Sequence, residues 1–380
     1  MNVSFLPLLA SIVFLIICSI PETATLCDFP AVYNFGDSNS DTGGLSAAFG
    51  QTRPPNGQTF FHHPAGRYCD GRLIIDFIVN RLGLPFLSSY LDSIGSNFTH
   101  GVNFATAGSS IMPQNTPLLQ SWSSPISLDV QLNQFQQFRI RSPIFYSKGG
   151  VFAKLLPKPE GLSESLFTFD IGQNDVVFGY FLNMSTAQVK ASVPNVINQL
   201  KDIITNIYKE GGRYFWIHNT GPFGCLAYML EIVADLAPPF DDAGCSVPFN
   251  DVAQYFNDKL KRMVKYLRKT LPLAAMVYVD IYKIKYELIT RAQEHGFSEN
   301  IKACCGHGGR YNYDKNVRCG STQMIDGHEV VVAPACTNPN EYINWDGIHY
   351  TESANKWVVD RIVNGEFCDP PVPLAMACSI

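Results

Sequence analysis

AVYNFGDSNSDTGG, residues 31–44, sets an apolar run directly before a polar loop that is rich in Ser, Asp and Gly. The apolar part, residues 31–35, has the length and composition of a buried β-strand. Gly36 permits a tight turn from the strand into the loop, because glycine adopts backbone conformations that other residues avoid. The stretch therefore predicts a buried strand that ends at a polar loop.

Four more short apolar runs follow the first, and helical patterns separate them. The runs are residues 102–105, 166–171, 214–218 and 276–279. The helical patterns are residues 70–82, 127–140, 187–209, 252–271, 282–295 and 351–364. Strands that are apolar throughout and alternate with helices indicate a parallel sheet that helices cover on both faces. We therefore predict an α/β fold.

The composition excludes several classes of protein. Of the 380 residues, 46% are hydrophobic and only 16% are charged, which is too apolar a composition for a disordered chain. The formal net charge is −5, so the chain lacks the basic surface that nucleic-acid binding requires. We expect neither a nucleic-acid partner nor a polybasic contact with membranes.

Residues 1–24 are predicted to be a signal peptide. Residues 5–20 are apolar except for two serines, and Pro21 ends the run. The run is shorter than the roughly 20 residues of a membrane span but fits the core of a signal peptide. A retained signal anchor is the alternative, because no Lys or Arg precedes Arg53. Residues 25–380 contain no repeat or linker and are predicted to form one domain without stable membrane insertion.

Cysteines and sequons agree with secretion. The chain has 11 Cys, and removal of the leader takes Cys18 and leaves an even number. Asn97 and Asn183 each begin an N-glycosylation sequon. Four late cysteines lack the paired C-x-x-C spacing of zinc sites, so disulfides are favoured over a metal. They are Cys304, Cys305, Cys319 and Cys336. Their pairing cannot be deduced from the sequence.

The residues just after the strands are candidates for chemistry, since functional loops gather at the carboxyl ends of parallel strands. Ser38 follows the first strand and is a candidate nucleophile, with Ser40 as the alternative. Gly108 follows the second strand, where its backbone N–H can face a ligand. Asn174 follows the third, and its amide can stabilise an oxyanion. Each residue alone is equally consistent with an ordinary turn.

A D-x-x-H motif precedes the last helix. Asp346 stands three residues before His349 and can accept its Nδ1–H, which leaves Nε2 to take a proton from a serine. The alternative makes Asp346 a local turn residue. His218 is a competing base but has no Asp at the same spacing.

In chain order these motifs are G-D-S, Gly, G-x-N-D and D-x-x-H, an order that resembles the SGNH-hydrolase superfamily and its plant GDSL esterase/lipase family. NFGDSNSDTGG, GRLIIDF, CCGHGG and NWDGIHYTESANKWV are similar to one subgroup. It includes early-nodulin-like, fucosidase-like and glycoside- or alkaloid-ester esterases. The resemblance covers about residues 27–365. It implies a flavodoxin-like three-layer sandwich with five parallel strands.

The resemblance also implies the role of each motif residue. Ser38 matches the nucleophile and also a backbone oxyanion donor. Gly108 and Asn174 match the other two oxyanion donors. His349 matches the general base, and Asp346 matches the residue that orients it. No metal and no organic cofactor is implied.

The resulting expectation is a secreted serine esterase that acts on small-molecule esters, in the cell wall, extracellular space or vacuole. A transacylase that delivers the acyl group to a hydroxyl acceptor, such as a sugar acid, is the alternative, because it uses the same acyl-enzyme. A glycosidase is disfavoured, since it needs two carboxylates. The loop residues that the sequence offers for an acidic acceptor are His62, His63, Arg67 and Arg72. The sequence does not determine the oligomeric state.

Overall fold

The computed structural model describes residues 26–113 and 124–380. The predicted signal peptide, residues 1–24, and Cys18 within it lie outside the described residues.

The central sheet contains five parallel strands, and each falls on one of the predicted apolar runs. They are β1 (Val32–Gly36), β2 (Gly101–Asn103), β3 (Leu166–Asp170), β4 (Tyr214–His218) and β5 (Ala275–Val279). Their order across the sheet is β2-β1-β3-β4-β5, as in flavodoxin-like folds. The predicted α/β fold with five parallel strands is confirmed.

Five further strands lie outside the predicted set. They are β6 (Glu299–Ala303), β7 (Thr322–Ile325), β8 (His328–Val331), β9 (Tyr342–Asn344) and β10 (Cys368–Asp369). β10 extends the main sheet as an antiparallel edge strand beside β5. β6 and β9 form a separate parallel pair, and β7 and β8 form an antiparallel hairpin.

Ten α-helices connect and cover the strands in the described chain. They are α1 (Gly44–Phe49), α2 (Ile74–Arg81), α3 (Leu128–Tyr146), α4 (Val151–Leu155), α5 (Gln173–Phe181), α6 (Thr186–Lys209), α7 (Ala227–Ile232), α8 (Val247–Thr270), α9 (Ile281–Thr290) and α10 (Glu352–Ile362). The six predicted helices are present with shifted ends. α8 begins five residues earlier than predicted because the Ser246 side chain caps its first turn by accepting from the Phe249 N–H.

Alternate residues of each strand bury their side chains on opposite faces of the sheet. In β1, Tyr33 and Phe35 pack in the larger core, whereas Val32 packs in the smaller one. The larger core lies against α3, α5, α6 and α8, and the smaller against α2, α9 and α10. Burial on both faces explains why the strands read as continuous apolar runs.

The strand order fixes where the functional loops meet. β1 pairs with β2 on one side and with β3 on the other, so successive connections leave β1 in opposite directions. Ligands of open α/β sheets bind in the crevice at such a switch point, outside the carboxyl ends of the strands. The loops that follow β1, β2 and β3 therefore converge at one edge.

Four disulfides staple the described chain: Cys27–Cys378, Cys225–Cys245, Cys304–Cys336 and Cys305–Cys319. The late cysteines thus form disulfides, as predicted. Cys69 and Cys368 remain as thiols. Over the same residues, no helix has the length and apolar character of a membrane span.

Candidate active site

Ser38 lies in the turn that follows β1. A Cβ atom at Gly36 would lie 2.2 Å from the Ser40 Oγ and 2.7 Å from the Asp170 carbonyl oxygen, so only glycine fits before this turn. Ser38 lines the main cavity, although it is only 9% exposed. Ser40 is buried and does not line the cavity. Position alone therefore separates the two candidate nucleophiles.

A buried carboxylate holds the Ser38 loop against the loop that follows β2. The two oxygens of Asp41 accept the N–H groups of Gly43, Gly44 and Leu45, where α1 begins. Asp41 also accepts the N–H of Ala107, 2.7 Å away. Asp41 is therefore a structural hydrogen-bond acceptor that joins the Ser38 loop to the loop of Gly108.

Two buried asparagines, neither of which is part of the four sequence motifs, reinforce this junction. The Nδ2 of Asn103 donates to the Ser40 carbonyl (2.7 Å) and to the Thr42 hydroxyl (2.9 Å). The Nδ2 of Asn34 donates to the Asn103 Oδ1 over 2.8 Å. A polar residue inside an apolar strand, such as Asn34 in AVYNF, is the sequence signal for such a bond, because burial requires a partner.

Asn174 stands at the start of α5 and contacts the same two loops. Its Nδ2 donates to the Ser109 carbonyl over 2.7 Å and lies 3.5 Å from the Asp37 Oδ2. The neighbouring Asp175 accepts the N–H groups of Ile111 and Met112. The loops after β1, β2 and β3 are thus bonded to one another around Asn174.

Asp346 and His349 occupy a tight turn between β9 and α10. The Oδ2 of Asp346 lies 2.7 Å from the Nδ1 of His349, and its Oδ1 accepts the N–H groups of Ile348 and His349. The Thr351 hydroxyl caps α10 by accepting the Ala354 N–H, which fixes where the turn ends. The backbone therefore presents the imidazole in one orientation.

The charge of this pair follows from its surroundings. Burial raises the pKa of a carboxyl, but the charge and hydrogen bonds of His349 outweigh burial and hold the pKa of Asp346 below its usual value. Asp346 is therefore ionised and accepts the Nδ1–H. The Nε2 of His349 is buried, and no atom of the described residues bonds to it.

One cavity of about 580 Å³ brings all five predicted residues together: Ser38, Gly108, Asn174, Asp346 and His349. No acceptor in residues 26–113 and 124–380 takes a hydrogen bond from the backbone N–H of Ser38 or Gly108. Gly108 adopts a φ of 78°, which favours glycine. The arrangement provides a hydroxyl, an imidazole with a free nitrogen, and amide donors around one space.

His218 does not line this cavity, which removes it as a competing base. Its Nδ1 bonds to Asp170 at 3.1 Å, and its Nε2 accepts the Trp216 Nε1–H, also at 3.1 Å. Burial raises the pKa of a carboxyl, but the hydrogen bond and charge of His218, with the charge of Lys285, hold the pKa of Asp170 below its usual value. Both ring nitrogens of His218 therefore have structural partners.

The prediction that His62, His63, Arg67 and Arg72 hold an acceptor is wrong, because none of them lines the cavity. The two histidines are exposed. Arg67 pairs with the buried Asp76 and Arg72 with Glu352, each at 2.7 Å, so both arginines hold the fold. The cationic residues of the cavity are instead Arg53 and Arg318.

Residues 32–362 match the family model described as GDSL-like Lipase/Acylhydrolase. The chain belongs to this family. It is therefore a serine esterase of the GDSL type, a carboxylic ester hydrolase.

Plant relatives are similar over nearly the full length. A GDSL esterase/lipase of Zea mays is 58% identical over 93% of this chain and 89% of its own. A protein of Arabidopsis thaliana named Alpha-L-fucosidase 3 is 54% identical over 94% of this chain and 97% of its own. A protein of Hevea brasiliensis named Esterase is 49% identical over 98% and 95%. The relatives of this GDSL esterase thus carry names that indicate different activities.

Proposed function

We propose that this GDSL esterase cleaves small-molecule carboxylic esters through an acyl-enzyme on Ser38. The observation that carries the proposal is the imidazole of His349. Its Nδ1 lies 2.7 Å from Asp346, while its buried Nε2 has no partner among the described residues and lies in the cavity that Ser38 lines.

In this mechanism the Nε2 of His349 takes the hydroxyl proton of Ser38 as Oγ attacks the ester carbonyl. The ionised Asp346 stabilises the imidazolium that forms. Backbone N–H groups of Ser38 and Gly108 and the amide of Asn174 stabilise the oxyanion of the tetrahedral intermediate. His349 then gives the proton to the leaving alcohol and activates the water that releases the acid.

We propose hydrolysis rather than transfer because water needs no dedicated site, whereas an acceptor alcohol must be ordered near His349. The test supplies a caffeoyl quinate with and without candidate polyol acceptors and separates free acid from new ester. Release of free acid without any acceptor supports hydrolysis. Product that forms only with one acceptor would make the enzyme a transferase.

A glycosidase is not supported by this site, despite the printed name of one relative. Glycosidases normally place two carboxylic acids across the bond that breaks. Asp346 is the one carboxylate among the described residues that line the cavity, and it is committed to His349. Release of fucose from a fucoside by the purified protein would contradict this inference.

The experiment for the nucleophile compares two variants in the hydrolysis of 4-nitrophenyl acetate. Ser38→Ala is expected to lose activity to background. Ser40→Ala removes a buried hydroxyl that lies two residues away and outside the cavity, so it is the matched control and should retain turnover. An active Ser38→Ala enzyme would exclude the assigned nucleophile.

We further propose that residues 1–24 direct secretion and that residues 25–380 form one domain in the extracellular space, cell wall or vacuole. Four disulfides support an oxidising compartment. Asn97 and Asn183 are both exposed and are proposed as glycosylation sites.

A further inference from the structure

The two sides of the cavity differ in charge. One side is apolar and is formed by α5, where Val177, Phe178 and Phe181 line the space. Arg53 and Arg318 line the cavity elsewhere. Among its described residues the one acidic group is Asp346, which already pairs with His349. The side chains of opposite charge to an anionic substrate group that line this cavity are therefore Arg53 and Arg318.

Backbone packing brings the two arginine segments side by side. A Cβ atom at Gly320 would lie 2.1 Å from the Pro54 carbonyl oxygen, so the segment of Arg318 rests directly on the segment of Arg53. The Cys305–Cys319 disulfide anchors the same segment, since Cys319 directly precedes Gly320. Arg53 takes part in none of the ion pairs found over the described residues.

The same segments pack against the turn that carries His349. The Oδ1 of Asn56, three residues after Arg53, accepts the Trp345 Nε1–H over 2.9 Å. A Cβ atom at Gly347 would lie 2.2 Å from the ring of Tyr313, five residues before Arg318. The arginines therefore stand on the histidine side of the cavity, whereas Asn174 stands on α5.

This placement distinguishes the two halves of an ester. The leaving oxygen must face the Nε2 of His349 to receive its proton, so the alcohol half lies on the histidine side. Given the proposed roles of Ser38 and His349, we propose that the alcohol half of the substrate carries an anionic group, typically a carboxylate, which Arg53 and Arg318 bind. A guanidinium suits this task because its planar donors match the two oxygens of a carboxylate.

The experiment compares esters that differ only in charge. One pair is 4-acetoxybenzoate and its methyl ester, which place the charge on the leaving alcohol. The other pair is phenyl hydrogen succinate and its methyl ester, which place the charge on the acyl half. For each pair the ratio of kcat/KM, anionic over neutral, is measured in the wild type and in Arg53→Gln and Arg318→Gln. Dividing the variant ratio by the wild-type ratio cancels the intrinsic reactivity of the esters.

We expect the first ratio to fall about tenfold in each variant, as for the loss of one charge-assisted hydrogen bond. The second ratio should not change. Added salt should lower the wild-type preference for 4-acetoxybenzoate, because these arginines are exposed to solvent. Arg141→Gln removes another exposed arginine, on α3 and outside the cavity, and serves as the control with unchanged ratios.

If the kcat/KM ratio for the 4-acetoxybenzoate pair is the same in the wild type and in both arginine variants, the inference is overturned, while the esterase mechanism stays intact. A fall in the kcat/KM ratio that is confined to the succinate pair would overturn the inference too, since the arginines would then bind the acyl half of the ester. Absence of turnover of all four esters by the wild type would instead contradict the proposed function.

Discussion

The side-chain amide of Asn174 joins two loops and also faces the cavity in which we place the oxyanion. Asn174→Ala removes this donor, and we expect kcat to fall by about 10²–10³-fold, or about 3–4 kcal/mol, with KM little changed. The reason is that the oxyanion exists in the transition state and not in the bound ester. Steady-state kinetics on a 4-nitrophenyl ester measure both constants. A change confined to KM would make Asn174 a substrate-binding residue.

Asp37, next to Ser38, has an unusual proton affinity. Burial and then the charge of Asp170 raise its pKa to about 8. A carboxyl whose pKa is raised on folding contributes stability that is greatest below the unfolded value of about 4 and is lost as the pH rises toward 8. Asp37→Asn has no such proton to lose, and its Oδ1 can still accept the Asn39 N–H.

We therefore expect the wild type to lose at least about 1 kcal/mol of unfolding free energy relative to Asp37→Asn between pH 5 and pH 8. Chemical denaturation at each pH gives the two values. Asp175, whose burial raises its pKa to about 7, is present in both proteins and titrates in both, and its charge contributes to the raised pKa of Asp37. A difference between the two proteins that is independent of pH would show that Asp37 is ionised throughout.

At the scale of elements, the Cys305–Cys319 disulfide holds the loop that carries Arg318 and Tyr313 to the cavity. The double variant Cys305→Ser/Cys319→Ser frees a short covalent loop with a sequence separation of 14 residues. We expect KM for an ester to rise several-fold because a mobile wall must be ordered on binding. The loss of this cross-link should also cost about 3 kcal/mol of stability.

Cys27→Ser/Cys378→Ser is the matched control, because this disulfide joins the chain ends and neither cysteine lines the cavity. Its melting temperature should fall while KM stays at the wild-type value. Equal effects on KM in the two double variants would contradict a specific role of the Arg318 loop.

The elements also differ in how well their sequences predict them. The five parallel strands are predictable because burial on both faces makes each one an apolar run. α5 is not predictable in this way, because its central residues are buried on all sides and show no alternation of apolar and polar faces. The buried residues include Val176, Val177, Phe178 and Tyr180. The β7–β8 hairpin is also hard to predict, because its strands are exposed and show no buried apolar pattern. The feature of its sequence that indicates a hairpin is the Asp326-Gly327 pair, which forms a turn in which both residues have positive φ.

Across the whole molecule, the four motifs of the candidate site could be located from the sequence because each follows a strand or precedes a helix. The arginines on the cationic side of the cavity could not be predicted from the sequence. Arg53 and Arg318 are far apart in the chain, and only the contact of Gly320 with Pro54 brings their segments together. Conversely, Arg67 and Arg72 lie in the expected loop but pair with acidic residues of α2 and α10. Long-range packing, which local patterns do not encode, decides both cases.

The proposed secretion gives a prediction for the mature protein. Expressed in eukaryotic cells with its leader, the protein should begin near residue 25 and carry glycans on Asn97 and Asn183, which are exposed. Intact mass before and after glycosidase treatment measures both. Gln at either asparagine should remove one glycan. Material that keeps residues 1–24 would favour the signal-anchor alternative.

We infer that Ser38 forms the covalent intermediate, and peptide mapping of a phosphonate adduct identifies the residue that does so. The native protein is treated with a fluorophosphonate, digested and analysed by tandem mass spectrometry. We expect one adduct, on Ser38, that forms in Ser40→Ala but not in Ser38→Ala, and that forms far more slowly when His349 is replaced by Ala. An adduct on Ser40 or on any other residue, with Ser38 unmodified, would contradict this inference.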